Sequence, residues 1–187
     1  MVEKITLGSG KLYMVEFTGE IPADATFETE ANHVGATKNG ATLAYTAETY
    51  EAIDDSGAYR KTITTKETVT LATGLFTWDG TTLAKLCSTA RVTTTTGKRT
   101  TKIGGIANDN GKSYAIRFVH EDVEEGDMRV TIVGKNTAGL SIAFAPGAET
   151  TLGPTFTAKA LDDDGTLVII DEEIPTTPEP GGNEQST

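Results

Sequence analysis

A chain of 187 residues, 37% of them hydrophobic, is long enough for one domain that buries roughly 70% of the surface its unfolded form exposes. Its formal net charge of −11, from 16 basic and 27 acidic residues, argues against tight binding to DNA or to an anionic membrane, where affinity comes from Lys and Arg neutralising phosphates. The single cysteine, Cys87, excludes an internal disulfide, and no apolar run approaches the ~20 residues of a membrane helix.

Met1–Ile5 lacks the charged-then-apolar pattern of a secretion signal, so a cytoplasm-like compartment is expected. Residues 3–8 and 11–17 read as strands around Gly8-Ser9-Gly10. Residues 19–40 are irregular. Gly19, Pro22, Gly35 and Asn39-Gly40 mark turns or a long loop, and ordered loops of that length commonly bind something. Residues 41–53 read as one long strand. Leu43, Tyr45 and Ile53 make one face the better core face, while Thr42, Thr46, Glu48 and Tyr50 lie on the other. Asp54–Gly57 is a turn, and 59–65 and 67–73 are further strands with Ile63, Val69 and Leu71 as core candidates.

The one helix is predicted over about 80–89. Asp79 is a suitable N-cap, Trp78 and Leu83 occupy the positions of a hydrophobic staple, and Leu83, Leu86 and Cys87 form a short apolar face. That places Cys87 as a small buried hydrophobe. Strands follow at 90–96 and 99–104 around Gly97-Lys98, then at 112–120, 128–133 and 139–145 with clean alternation, as in a meander packed on one side. The last strands are predicted at 155–161 and 166–171. The fold class is therefore mostly β: an antiparallel β-sandwich or partly open barrel with one short flanking helix. One domain spans 1–173. The Pro/Gly-rich tail, 174–187, has almost no apolar side chains with which to offset its ordering entropy.

The sequence holds no catalytic signature. His33 and His120 stand far apart and in no zinc-binding spacing. The acidic run His120-Glu121-Asp122, with Glu124, Glu125 and Asp127, lacks the alternating ligands and central Gly of a calcium loop and reads as a solvated turn. Lys98, Arg99 and Lys102 form a small basic tip, either a solvated hairpin end or a salt-bridging contact with an acidic surface of a neighbouring subunit. Asp162-Asp163-Asp164-Gly165 reads as a polar turn. No enzyme activity, metal or cofactor is expected.

Several runs, in order, resemble the major tail proteins of long-tailed bacteriophages: Ile5–Tyr13, Gly40–Tyr45 with the acidic turn at 54–57, Leu75–Leu83, and Ile103-Gly104-Gly105 through Ile116–Asp122. The resemblance covers about 1–173. It implies a β-sandwich subunit that forms hexameric rings stacked into a hollow tube. Such a tube contacts a tape-measure protein and tail-end proteins, and conducts DNA without binding it tightly. It also implies assembly in the bacterial host cytoplasm and a final location in the virion tail. On that basis Thr42, Thr46 and Glu48 are expected to line the lumen. Asp24, Phe27, Glu28 and His33 in the 19–40 segment, Asp54, Asp55 and Tyr59 at the next turn, and Lys98 and Arg99 are expected between subunits. The rival expectation is a carbohydrate- or surface-binding β-sandwich module. Only 6% of residues are aromatic, and most fall at positions predicted to be core.

Overall fold

The computed structural model describes residues 10–123, 126–144, 146–147 and 149–174; the predicted strand at 3–8 and the tail beyond Ile174 lie outside them. Among the described residues there are nine strands, two α-helices and one 3₁₀ turn. In chain order they are β1 (Lys11–Glu16), α1 (Asp24–Phe27), β2 (His33–Ile53), β3 (Arg60–Leu75), α2 (Gly80–Leu86), β4 (Arg91–Thr95), β5 (Lys98–Lys102), the 3₁₀ turn Ile106–Asn108, β6 (Tyr114–His120), β7 (Met128–Asn136), β8 (Thr155–Lys159) and β9 (Val168–Glu172).

The antiparallel pairings β6–β1, β1–β2, β2–β3, β3–β8, β8–β7 and β7–β6 return on themselves, so six strands close a small barrel. Closure is complete only at one end. There β8 bridges β3 and β7 through short ladders, whereas further along β7 the same edge is taken by β9. The expected partly open barrel is therefore what forms.

Alternation separates two cores. Leu12, Met14, Val69, Leu71, Ile116, Phe118, Ile132 and Phe156 point into the barrel. Tyr13, Ala115, Val119 and Val133 point out of it and are covered by Phe27 of α1. β1, β6 and β7 are thus buried on both faces, and the one-sided meander predicted from alternation is corrected: a one-turn helix shields the second face.

α2 closes the barrel end. Leu83 and Leu86 join the inner core, Thr82 donates from Oγ1 to the Val34 carbonyl at 3.0 Å, and Asn136 donates from Nδ2 to the Leu86 carbonyl at 3.2 Å. Asp79 caps this helix as expected, accepting from the N–H groups of Thr81 and Thr82 while the Thr82 hydroxyl completes a capping box. The helix stops at Leu86 rather than residue 89. Cys87 is already extended (φ −118°), and the carbonyl of Ser88 accepts from the Asn110 N–H instead of from a further turn. Cys87 is half-buried, with its thiol pKa pushed up by desolvation.

Three further corrections have backbone causes. Asn39-Gly40 does not end a loop. Both residues are left-handed (φ 65° and 66°) and form a bulge inside the 21-residue strand β2, where the Gly40 carbonyl accepts from Thr73 Oγ1 at 2.9 Å. The two strands predicted at 59–65 and 67–73 are one strand, because the break at Thr65 is also a bulge. Residues 139–144 form no strand despite their alternation, though Leu140 and Ile142 still pack on the inner core.

Candidate assembly surface

β2 and β3 run far past the barrel. Tyr45 opposite Val69 marks the last ladder position with a buried partner, and every residue from 44 to 67 is exposed. At about 3.3 Å per residue, Thr46–Ile53 carries the ribbon roughly 25 Å beyond the core. The tip is a well-made turn. The Asp54 carboxylate accepts from the Ser56 hydroxyl and from the Tyr59 N–H at 2.8 Å, which holds its carboxyl below the usual range, the Ser56 bond contributing most.

This arm has no core beneath it. Tyr45, Tyr50, Ile53, Tyr59 and Ile63 are 58%, 59%, 50%, 78% and 46% exposed. Strand register puts Tyr50 and Ile63 opposite one another on one face, while Tyr45 and Ile53 lie on the other. Both outer edges are open as well. β1 pairs β2 only up to Ala36, and β8 pairs β3 only over Thr70–Ala72. Isolated two-stranded ribbons are marginal in water, and long open edges invite another strand. The arm therefore combines apolar side chains with unpaired backbone donors and acceptors, which is what β-augmentation requires.

The expected contact residues fall into three separate places. Asp54, Asp55 and Tyr59 are at the arm tip. Lys98 and Arg99 are on the β4–β5 hairpin, where Arg99 pairs with Asp79. Asp24, Phe27, Glu28 and His33 lie in and beside α1, where all but Asp24 are drawn into this chain's own packing, against the expectation of a contact surface. Phe27 is fully buried and serves this chain's own core. Glu28 is largely buried between Arg117 (2.9 Å) and Arg129 (2.8 Å). His33 is half-buried against the Tyr13 ring, centroids 5.5 Å apart. Asp24 is the most exposed of the four and pairs with Arg117 at 2.5 Å.

Arg117, on the opposite face of its strand from Ile116 and Phe118, is the residue sequence reasoning missed. Its side chain is 4% exposed, donates to Asp24, Glu28 and Thr131, and lies 4.4 Å from the Phe27 ring centroid. Together with Arg129, Asp127 and Glu173 it locks α1 and the end of β9 to the barrel wall. Arg129 is held more firmly charged than a free guanidinium, chiefly by its hydrogen bonds to Glu28.

Thr42, Thr46 and Glu48 share one exposed face of the β2–β3 ribbon, as alternation predicted. The companion prediction fails beyond Leu43: Tyr45 and Ile53, assigned to the core, are in solvent because the ribbon has left the barrel. Glu48 stands opposite Lys66 and pairs with it at 2.9 Å, so its charge is balanced within the ribbon.

A cavity of about 250 Å³ opens at the incompletely closed end, lined by Leu43, Leu71, Phe118, His120, Met128 and Val130 among others. His120 is the sole titratable group in that lining. Among the described residues no three His, Cys, Asp or Glu side chains are placed to share a metal ion, and no helix is long and apolar enough to cross a membrane.

No protein-family model matches the chain, and no curated protein matches it. Among solved structures it is similar to a chain from the virion of a native gene transfer agent particle. Identity is 10% and the TM-score 0.43, over 87% of this chain and 95% of that one. A likeness this distant assigns no function.

Proposed function

We propose that this protein is the tube subunit of a bacteriophage tail, assembling into stacked rings whose lumen conducts DNA. The observation that carries this reading is the β2–β3 arm, a ribbon roughly 25 Å long, with exposed aromatics and two open edges, whose stability asks for a second chain. The ordered sequence resemblance to major tail proteins names the assembly, and the acidity of the chain suits a channel through which a polyanion must slide. Glu48 and its Thr neighbours remain the proposed lining. Because Lys66 neutralises Glu48, the negative potential of a lumen would come from the summed charge of the ring rather than from one carboxylate belt.

The test is to replace residues 47–67 by Asn-Gly, closing a two-residue hairpin between the facing Thr46 and Thr68. The wild type is expected to form rings or tubes in electron micrographs. The shortened variant should fold with the same circular dichroism per residue and stay monomeric. A wild type that is monomeric at all concentrations, or a shortened variant that still forms tubes, overturns the reading.

The carbohydrate-binding alternative gains one observation, since Tyr45, expected in the core, is exposed along with Tyr50 and Tyr59. Strand parity sets Tyr45 and Tyr50 on opposite faces, which does not make a flat sugar platform. Binding on a glycan array that Tyr50→Ala abolishes would favour it.

A further inference from the structure

We propose that the exposed face of the β4–β5 hairpin docks the Asp162–Asp164 turn of a second copy of this chain. This rests on the self-assembly reading above and supplies a contact for it other than the arm.

The hairpin is strongly basic in an acidic chain. Residues 91–102 contain Arg91, Lys98, Arg99 and Lys102 and no carboxylate, so the chain's −11 is the sum of +4 here and −15 elsewhere. Register divides these cations. Arg91 stands directly opposite Lys102, and Lys98 opposite Thr95, all on one face; Arg99 and Thr101 are on the other. The second face is turned to α2. Arg99 pairs with Asp79, and a Cβ built on Gly80 would lie 2.7 Å from Arg99 Cδ and 2.8 Å from Thr101 Oγ1. The first face is left to solvent. Arg91 donates only to neutral groups, Asn108 Oδ1 at 3.0 Å and the Gly104 carbonyl at 3.5 Å, and neither Lys98 nor Lys102 has an ion pair among the described residues. Like charges set directly opposite destabilise a strand pair. A local cost with no compensation inside the chain marks a surface kept for a partner.

The complementary surface is built with equal care. β8 and β9 occupy consecutive stretches of the same β7 edge, Lys159 opposite Val133 and Val168 opposite Ile132. Residues 160–167 are therefore an excursion from what would otherwise be a continuous strand. At its tip Asp162, Asp163 and Asp164 are all exposed, and none has an ion pair among the described residues. Asp162 accepts the Thr166 N–H at 2.9 Å, which fixes the turn, and its carboxyl pKa is lowered, first by the Thr166 side chain and then by that N–H. The hairpin packs on α2, and among the described residues no ion pair joins the two patches within a chain. Contact between copies is then between unlike patches, the arrangement that propagates into rings or filaments. A free polyanion is the poorer occupant, because the rest of the surface repels it.

The experiment uses the full chain and three variants: K98E/K102E, D163K/D164K, and all four changes together. Assembly is followed by sedimentation velocity and electron microscopy over a range of salt. Each double variant should raise the concentration for half-maximal assembly at least about tenfold, with unchanged circular dichroism, as expected when two exposed ion pairs per contact become repulsive. The quadruple variant should recover most of that loss, and the wild type should weaken as salt rises. Assembling wild type with unaffected double variants overturns this contact and leaves the tube reading standing. Wild type that never assembles overturns both. K98E/K102E that loses binding to a single-stranded oligonucleotide while assembling normally identifies a nucleic-acid surface instead and also overturns the proposal.

Discussion

Arg117→Ala should be the most damaging charge deletion in the protein, and its cost follows from what the side chain touches. The guanidinium is buried beneath Phe27, donates from Nε to Thr131 Oγ1 at 2.9 Å, and from Nη1 to Asp24 at 2.5 Å and Glu28 at 2.9 Å. Removing one member of a buried ion-pair cluster costs about 3–5 kcal/mol, since the partners stay desolvated. Glu28 keeps Arg129, and Asp24 can turn to water, so the low end, about 3 kcal/mol, is expected. For a domain of this size each kcal/mol moves the melting midpoint by about 2–4 °C, giving a fall of about 6–12 °C. Thermal unfolding by circular dichroism at pH 7 measures it, and hydrogen exchange should show faster exchange at the amides of 24–30. Arg117→Lys keeps the charge but cannot reach Thr131 and both carboxylates together, so it should lie between wild type and Ala. Arg60→Ala is the control. Its pair with Glu51 spans 3.8 Å on the exposed arm and should be worth under about 1 kcal/mol. A midpoint for Arg117→Ala within 2 °C of wild type, with unchanged exchange at α1, would refute the reasoning.

Asp79→Ala should cost about 1 kcal/mol at pH 7 through loss of the N-cap. The Thr81 hydroxyl, the Thr82 and Thr81 N–H groups and Arg99 hold the Asp79 carboxyl well below the usual range, so its contribution is complete above the unfolded value near ~3.9 and is lost as pH falls below it. Urea titrations at pH 7 and at pH 3 should therefore show the gap to wild type closing on acidification; a gap that widens would reverse the sign. Trp78→Ala should cost about 3 kcal/mol, the low end for aromatic truncation, because the indole is only partly buried while its Nε1–H donates to the Thr150 carbonyl at 3.2 Å. Deleting 24–36 should abolish folding altogether, since it removes Phe27 and Val34 from the two cores; soluble, cooperatively melting protein would contradict the two-core description. Glu48→Lys should change stability by less than about 1 kcal/mol, being an exposed pair, and pairing it with Lys66→Glu should restore wild-type melting.

The sequence by itself determined the local elements. Thr-rich alternation placed most of the strands, Asp79 announced the helix start, and Gly97 with Lys98 placed the β4–β5 hairpin, because caps, turns and period-2 patterns are written within a few residues. Strand parity also assigned Thr42, Thr46 and Glu48 to one face correctly. What parity does not encode is what covers a face. Tyr45 and Ile53 alternate like core residues yet lie in solvent, because the ribbon has run past the barrel; Arg117 and Val119 alternate like surface residues yet are buried, because α1 lies over them. Asn39-Gly40 has the chemistry of a hairpin turn in any local reading, and only pairing of β2 to β3 on both sides of it makes it a bulge. Ion pairs such as Arg117–Glu28, 89 residues apart, and the closure of β6 onto both β1 and β7 depend on contacts distant in sequence, which tertiary packing alone brings together.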